Sequence, residues 1–236
     1  MRKRHLLRIL RYRAHGFLGR YPRILFPLYA LFGIHRGLTV TPSTHLLIEG
    51  FPRSSATFCG YAFLQAQAAP MNIALHIHVP AHVIRAVRMG IPTLVLIRPP
   101  RDAITSAKLR DPHIPISAYI ERYRLFYETL DAYREGFVTA DFAAAISDFG
   151  KVIGDINAKY GTSFAAFDHS ASNVAAVYDR LDERQHQLGG GAMAGYRPHK
   201  AKEIAKKHVD LSAHHDALER CEAIYERWSG ATQQRR

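Results

Sequence analysis

The most constraining feature of this sequence is an alternation of strand-like and helix-like segments that begins at residue 45. Four short, mostly apolar segments are typical of strands, and segments with helical spacing of apolar residues separate them. The predicted strands are His45–Glu49, Asn72–Ile77, Thr93–Arg98 and Gly136–Thr139, and the predicted helices lie near residues 55–68, 80–89, 101–109 and 116–134. This pattern predicts parallel βαβ units, and therefore a three-layer α/β/α fold around a central, mostly parallel sheet. The continuous apolar run Leu94–Ile97 is typical of a strand that helices cover on both faces.

The remainder of the chain has mainly helical patterns. Residues 141–160 predict an amphipathic helix, and residues 199–208 predict a polar, basic helix. The glycines at 189–191 predict a mobile loop before that basic helix. The last predicted helix runs roughly over residues 213–228. A tyrosine recurs every four positions within the predicted helix 116–134, which favours a face packed on the domain over a stacking platform for a substrate: Tyr119, Tyr123 and Tyr127.

Positive charge is concentrated near the N-terminus. The net charge is +12, and the first 48 residues hold nine Arg or Lys and no Asp or Glu, so the rest of the chain contributes 12 − 9 = +3. We therefore divide the chain into a basic N-terminal arm, residues 1–44, and one domain, residues 45–236. A basic arm indicates an anionic neighbour: lipid, polyanionic substrate or nucleic acid. A solvated arm that packs on the domain is the alternative.

The arm contains an apolar stretch, Ile24–Ile34, that Pro27 interrupts. Its eleven residues are too few to span a bilayer, which needs about twenty, and no cleavage site of small residues follows it. An interfacial helix on an anionic membrane stays open. We expect a cytoplasmic protein, with peripheral contact at the inner membrane as the minor alternative and no nucleic-acid partner. Cys59 and Cys221 lie 162 positions apart, and we interpret both as reduced thiols.

The first predicted strand leads into a turn that suits an anion. Gly50 and Pro52 end the strand, Arg53 follows, and a helical pattern begins after small hydroxyl residues. The unpaired N–H groups and the dipole at a helix N-terminus attract phosphate, and Arg53 adds a fixed positive charge. The P-loop motif of nucleoside triphosphatases, G-x-x-x-x-G-K-[ST], is absent.

A second candidate anion site follows the third predicted strand. Arg98 lies at the strand's end, where open α/β sheets place their ligand crevice. Ser106 lies eight residues later, two turns into the next helix. A guanidinium and a hydroxyl in this arrangement suit a phosphate. A purely structural Arg98, paired with Asp102, agrees equally well with the spacing.

Two histidines end the second predicted strand. Strand alternation would point His76 and His78 to the same face. A histidine at this edge of a sheet, beside an anion site, is a candidate general base near neutral pH. A His-x-His pair of metal ligands is one alternative, although no third ligand at a suitable spacing is evident. A histidine that only satisfies backbone groups is the other.

Taken in order, three motifs resemble the sulfotransferase family, whose members transfer a sulfuryl group from 3′-phosphoadenosine 5′-phosphosulfate (PAPS). They are P-R-S-x-x-T at residues 52–57, H-x-H-x-P at residues 76–80 and R-x-P-R-D-x-x-x-S at residues 98–106. The resemblance covers about residues 45–140. It implies a P-loop-like sulfotransferase fold for the domain, PAPS as the donor, no metal, and a hydroxyl or amine acceptor on a carbohydrate, a lipid or a small molecule.

The resemblance also implies roles by position. His78 matches the catalytic base, Arg53 the residue that stabilises the leaving phosphate, and Arg98 with Ser106 the pair that binds the 3′-phosphate. The family has a lysine at the position of His76, which we expect to be charged only part of the time at pH 7. The loop that binds the 5′-phosphosulfate corresponds to Pro52, Arg53, Ser54, Ser55, Ala56 and Thr57.

The sequence departs from the family at three places. Many members have Gly and Thr where this chain has Ser55 and Ala56, and the lysine before the catalytic base is replaced by His76. No R-K-G-x-x-G element occurs near the C-terminus, and residues 195–200, which include Arg197, are the predicted substitute that closes over the donor. Two other functions stay open: a P-loop-like small-molecule or nucleotide kinase, and a non-catalytic anion- or membrane-binding protein on a decayed transferase scaffold. The lack of an acidic cluster near the loop favours metal-free transfer over a kinase.

Overall fold

The computed structural model describes residues 2–187, 195–197 and 199–230, so the predicted loop at 189–191 lies outside the described residues. The strands are β1 (Leu46–Gly50), β2 (Ile73–Leu75), β3 (Thr93–Ile97) and β4 (Val138–Asp141). The helices are α1 (Arg2–Leu18), α2 (Pro22–Phe32), α3 (Ala56–Ala66), α4 (Pro80–Arg88), α5 (Pro100–Arg110), α6 (Ile116–Leu130), α7 (Phe142–Ser147), α8 (Phe149–Tyr160), α9 (Ala171–Gln187), α10 (Lys200–Lys207) and α11 (His215–Ser229).

The four strands form one parallel sheet in the order β2-β1-β3-β4. Alternate residues along each strand contribute to two separate cores. Leu47 and Val95 pack with α4, α5, α6 and α11, whereas Leu46 and Leu94 pack with α3, α8 and α9 on the opposite face. The predicted three-layer α/β/α architecture is therefore confirmed. All of β3 is buried, as its continuous apolar run predicted.

Helix α6 carries the tyrosine row on a buried face, which confirms the packing interpretation. Tyr119, Tyr123 and Tyr127 are each at most 3% exposed. The Tyr123 hydroxyl donates to the backbone oxygen of Arg98 over 2.9 Å, and the Tyr127 hydroxyl donates to that of Leu96 over 2.8 Å. These two bonds attach α6 to carbonyl groups at the end of β3, one within the strand and one just after it. The row therefore fixes the chain just before the predicted anion site.

Two predicted elements differ from the structure. The predicted helix 141–160 is divided into α7 and α8, because the Asp148 side chain caps α8 by accepting from the backbone N–H of Lys151 over 3.1 Å. Strand β2 ends at Leu75 instead of residue 77. Its continuation is turned away because the carboxylate of Glu49 accepts from the backbone N–H groups of residues 77 and 78, over 2.9 and 3.0 Å.

The early end of β2 changes the expected geometry of the two histidines. His76 and His78 have φ values of 77° and 56°, in the left-handed region that non-glycine residues rarely adopt. Strand alternation therefore does not apply to them, and the prediction that it points both side chains to one face is wrong. Instead, the orientations of the His76 and His78 side chains depend on the contacts that each ring makes.

Residues 2–32 form two helices that lie on the domain. Helix α1 packs along α6, and α2 packs against α4. The backbone oxygen of Gly19, between α1 and α2, accepts from the N–H of Ala81 over 2.7 Å. No helix among the described residues is long and apolar enough to cross a membrane.

Candidate active site

The site lies at the carboxyl edge of β1 and β3. The chain leaves β1 through α3 on one face of the sheet and enters β3 through α4 on the other face. Connections that diverge in this way open a crevice at the ends of the two strands, which is where open α/β sheets bind ligands. The predicted anion-binding turn, the two histidines and Arg98 all follow strands that end at this edge.

The turn between β1 and α3 is held in an unusual backbone conformation. Arg53 and Ser55 have φ values of 75° and 69°, and each such residue costs about 1–3 kcal/mol unless its surroundings compensate. This conformation places the turn directly before α3, where the first N–H groups, including those of Ala56 and Thr57, have no acceptor within the helix. The predicted helix N-terminus for an anion is therefore present.

The hydroxyl groups of the turn differ in their surroundings. Ser54 and Thr57 are buried, with 1% and 8% exposure. The Ser55 hydroxyl donates to the backbone oxygen of Ser54 over 2.6 Å. Pro52 and Ala56 offer backbone groups alone. The turn thus presents chiefly N–H groups and the Arg53 side chain.

Arg53 extends from the turn to the middle of α5 and to the segment before α10. Its Nε donates to Ser106 Oγ over 3.1 Å, and its Nη2 donates to the backbone oxygen of Gly195 over 3.1 Å. Burial and the charges of Arg110 and Arg98 lower the pKa of Arg53 to about 10. The group stays charged at neutral pH, in a region where positive charges already repel one another. An anion bound there would relieve that repulsion.

The side chain of Arg98 stabilises the same turn by donating to its backbone. Its Nη1 donates to the backbone oxygen of Arg53 over 2.6 Å, and its Nε donates to Asp102 Oδ2 over 2.6 Å. Burial opposes ionisation of Asp102, but the hydrogen bond from Lys206 and the charge of Arg98 lower its pKa. The pairing of Arg98 with Asp102, left open by the spacing, is therefore present. Since Arg53 contacts Ser106, the two predicted phosphate sites form one continuous cationic patch.

His78 has a tautomer that its contacts fix. Its Nδ1 lies 2.9 Å from the backbone oxygen of Gly50. A carbonyl oxygen only accepts, so Nδ1 carries the hydrogen and Nε2 keeps its lone pair. The Glu49 carboxylate lies 3.5 Å from the same Nδ1, and the side chain of His78 is 23% exposed. His78 thus has a partly exposed ring whose Nε2 carries a lone pair, and the Glu49 carboxylate lies close to the opposite nitrogen of the ring.

Glu49 organises the histidine side of the site, and the sequence reasoning missed it. It is fully buried and accepts from His82 Nδ1 over 2.8 Å as well as from the N–H groups after β2. The N–H of Val40 donates to His82 Nε2 over 3.0 Å, which leaves the hydrogen on Nδ1. Burial alone would raise the pKa of Glu49, but hydrogen bonds from His78 and His82 hold it well below its usual range. The sequence feature that could have indicated this role is the position of Glu49, an acidic residue at the end of an apolar strand.

His76 is not a cation in this environment. Its burial, together with the charge of His78, lowers its pKa to about 4, so it is neutral at pH 7 rather than partly charged as expected. Its ring lies 6.1 Å from that of His78, and its buried Nε2 has no hydrogen-bond partner among the described residues. His76 can therefore donate or accept a hydrogen bond, but it does not replace the charge of a lysine.

The N-terminal helices are connected to the backbone of His78 through Arg122 of α6. Arg122 Nη2 donates to the backbone oxygen of His78 over 3.1 Å and to His15 Nδ1 over 3.0 Å. His15 Nε2 lies 2.6 Å from the Tyr29 hydroxyl, so His15 connects α1 to α2. Burial and the charge of Arg122 lower the pKa of His15 to about 3. The sequence did not indicate that residues 1–44 take part in this network.

The predicted segment 195–200 approaches the turn through Gly195, whose backbone oxygen accepts from Arg53, rather than through Arg197. Arg197 pairs with Asp182 and Asp179 of α9, over 2.9 and 2.7 Å, and its role as a donor ligand stays a prediction. Lys202, by contrast, donates to the backbone oxygen of Gly195 over 2.7 Å. Burial and the charge of Arg53 lower the pKa of Lys202, which places it beside the cationic patch.

Among the described residues, no group of three or more His, Cys, Asp or Glu side chains is arranged to hold a metal ion. Neither a protein-family model nor a curated protein matches the chain. Its structure is similar to the crystal structure of mouse sulfotransferase SULT7A1 complexed with PAP, with 14% sequence identity and a TM-score of 0.43. That match covers 69% of this chain and 72% of the mouse chain.

Proposed function

We propose that this protein is a PAPS-dependent sulfotransferase that uses His78 as its general base. One observation carries the proposal: an imidazole with a fixed tautomer, whose Nε2 has no hydrogen-bond partner among the described residues, lies at the same sheet edge as a largely buried cationic patch. A base for the acceptor and cations for the leaving group are the two requirements of group transfer between oxygen atoms. The motif resemblance supports sulfuryl as the transferred group and PAPS as its donor.

The donor set of the patch suits the phosphate and sulfate oxygens of such a nucleotide. An anion could accept hydrogen bonds from Arg53, Arg98, Ser106 and the first N–H groups of α3. The carboxylate of Asp102, which lies beside the patch, is paired with Arg98 and Lys206. PAPS, when bound, supplies the sulfuryl group. Arg53 would neutralise the charge that develops on the departing phosphate, and Arg98 and Ser106 would hold the 3′-phosphate. Sulfuryl transfer, like phosphoryl transfer, depends on this positioning and charge stabilisation rather than on a protein nucleophile.

His78 would act on the acceptor. Its Nε2 takes the proton of the acceptor hydroxyl as that oxygen forms its bond to sulfur and the bond from sulfur to the phosphate oxygen breaks. The products are a sulfated acceptor and adenosine 3′,5′-bisphosphate, and the proton stays on His78 until water removes it. The Gly50 carbonyl and the Glu49 carboxylate both stabilise the protonated imidazole.

Nucleotide binding tests the donor site. Adenosine 3′,5′-bisphosphate should raise the melting temperature of the full chain, because a ligand that binds the folded state alone stabilises it. ATP with magnesium should have no comparable effect. A shift with ATP and magnesium alone would favour the kinase alternative, and no shift with either nucleotide would show that the donor site is wrongly assigned.

Transfer of labelled sulfate from PAPS to a panel of carbohydrate, lipid and phenolic acceptors tests the chemistry. His78→Ala should lower transfer by about 100-fold or more, as expected for loss of a general base, and should leave the affinity for adenosine 3′,5′-bisphosphate unchanged. His76→Ala is the matched control, and its effect should be much smaller. Wild-type activity in His78→Ala would exclude His78 as the base, and nucleotide binding without any transfer would favour a non-catalytic binding protein.

A further inference from the structure

The two N-terminal helices expose an unusual number of large apolar side chains. Thirteen such side chains are exposed in the described part of the chain, and ten of them lie between residues 6 and 38. Monomeric soluble proteins rarely leave a large contiguous apolar patch uncovered unless it binds something. The ten are Leu6, Leu7, Leu10, Phe17, Tyr21, Ile24, Leu31, Phe32, Ile34 and Leu38.

On α1 the exposed residues form a stripe opposite the packed face. Ile9 and Tyr12 face the domain core, together with the buried backbone of Gly16. Leu10 and Phe17, which are 64% and 52% exposed, lie seven residues apart on the other side of the helix. One face of α1 therefore packs on the domain core, and the exposed apolar residues of α1 do not contribute to that packing.

Helix α2 repeats this arrangement. Leu25 and Tyr29 are buried toward α4, at 3% and 5% exposure. Ile24 and Leu31 lie seven residues apart on the outer side and are 49% and 75% exposed. We call these outer residues of both helices, Leu7, Leu10, Phe17, Ile24 and Leu31, the outer apolar face.

Exposed arginines lie in the same N-terminal segment as the outer apolar face. Arg4, Arg11, Arg23 and Arg36 are exposed, and no acidic residue precedes Glu49 in the chain. Helices with an apolar stripe flanked by arginine bind at the boundary between lipid headgroups and acyl chains. Each basic residue close to an anionic membrane surface contributes about 1 kcal/mol of attraction.

We propose that the outer apolar face binds the surface of an anionic lipid bilayer. The charges favour this occupant over a second copy of the chain, because two such faces would bring arginines against arginines. A bilayer would receive the apolar stripes in its interfacial layer while the arginines contact lipid phosphates. This proposal does not depend on the sulfotransferase activity.

Cosedimentation of the full chain with vesicles tests the proposal. The protein should bind vesicles of phosphatidylcholine mixed with phosphatidylglycerol and should bind phosphatidylcholine alone much more weakly. Added salt should reduce the binding, because exposed charges are screened. The triple variant Leu10→Ser, Phe17→Ser, Leu31→Ser should lower the partition coefficient by about tenfold or more. Its melting temperature should stay close to that of the wild type, because the three side chains are exposed.

Ile204→Ser is the matched control, since Ile204 is 58% exposed but lies on α10, outside the outer apolar face. It should leave vesicle binding unchanged. A wild-type protein that ignores anionic vesicles would overturn the proposal, and so would a triple variant that binds them as well as the wild type. Sedimentation that shows a dimer dissociated by the triple variant, without lipid binding, would assign the face to a second copy instead.

Discussion

Arg98 at the sheet edge has a structural role and a proposed role in binding. Its guanidinium holds the Arg53 carbonyl and pairs with Asp102, and it also forms part of the proposed 3′-phosphate site. Arg98→Ala should weaken binding of adenosine 3′,5′-bisphosphate by about tenfold or more, the usual effect of losing a charge-assisted hydrogen bond. It should have a much smaller effect on adenosine 5′-phosphosulfate, which lacks the 3′-phosphate.

Isothermal titration of both nucleotides measures this difference. Asp102→Asn serves as the control, because it removes the negative charge beside Arg98 and keeps the guanidinium. Equal losses of affinity for the two nucleotides in Arg98→Ala would indicate that Arg98 acts only by holding the turn.

Glu49 gives the second residue-scale prediction. Glu49→Gln keeps the shape of the side chain but places an amide among groups that all donate to it, so at least one buried donor loses its acceptor. We expect the free energy of unfolding at neutral pH to fall by about 3 kcal/mol. Glu121→Gln should cost less than about 1 kcal/mol, because Glu121 is half exposed and lies 3.9 Å from its partner Arg13. Denaturant unfolding measures both, and equal losses would contradict the structural role of Glu49.

The sequence predicted where the candidate residues lie in the fold better than it predicted their environment. The turn at residues 52–57, His78 and the Arg98–Ser106 pair follow strand ends, so a pattern of short apolar strands is enough to place them at one edge. The neutrality of His76 and the buried Glu49 could not be predicted, because both depend on contacts between residues far apart in the chain. Arg197 was predicted as a donor ligand because its segment follows the glycine-rich loop, and its pairing with α9 is likewise a tertiary contact.

At the scale of elements, local patterns predicted helices well and the length of β2 poorly. Apolar spacing and prolines determine where α4 and α5 begin, since both have proline at their first position. The end of β2 is instead determined by the Glu49 side chain of a neighbouring strand. The hydrogen bonds to Glu49 accompany the left-handed backbone at His78. The contact that ends β2 therefore also helps to orient the proposed base.

The junction of α1 with the segment after His78 gives a prediction at this scale. A Cβ at Gly19 would lie 2.6 Å from Val79 Cγ1 and 2.8 Å from the backbone oxygen of His15. Gly19→Ala should therefore displace α1 from Val79 and lower the free energy of unfolding by about 1–3 kcal/mol. It should also reduce sulfate transfer more than nucleotide binding, because the displaced contact lies beside His78.

Gly154→Ala is the control for that substitution. Gly154 lies within α8, and a Cβ there would have no neighbour within 4 Å. This variant should be more stable than the wild type by about 0.5–1 kcal/mol, because alanine favours the helix. Thermal unfolding of the two variants measures both effects. A Gly19→Ala protein as stable as the wild type would show that α1 does not pack closely on this segment.

The whole molecule should respond to acid through its buried histidines. In the folded protein the pKa of His15 is about 3 and that of His76 about 4, against 6.5 for the free side chain. Below about pH 6.5 the unfolded chain binds protons that the folded chain excludes, so stability falls as the pH falls, until the folded pKa values are reached.

Each of these histidines should contribute up to about 1.4 kcal/mol per pH unit to that loss. His15→Gln keeps a hydrogen-bond acceptor for Arg122 and a donor for Tyr29 but cannot titrate in this range. Between about pH 6 and about pH 4 its free energy of unfolding should therefore depend less steeply on pH than that of the wild type. Denaturant unfolding across this range measures the slopes, and the double variant His15→Gln, His76→Gln should have the shallowest. If His15→Gln kept the slope of the wild type, His15 would take up its proton at the same pH in the folded and the unfolded protein. The pKa of His15 would then not be lowered by folding, contrary to its burial beside Arg122.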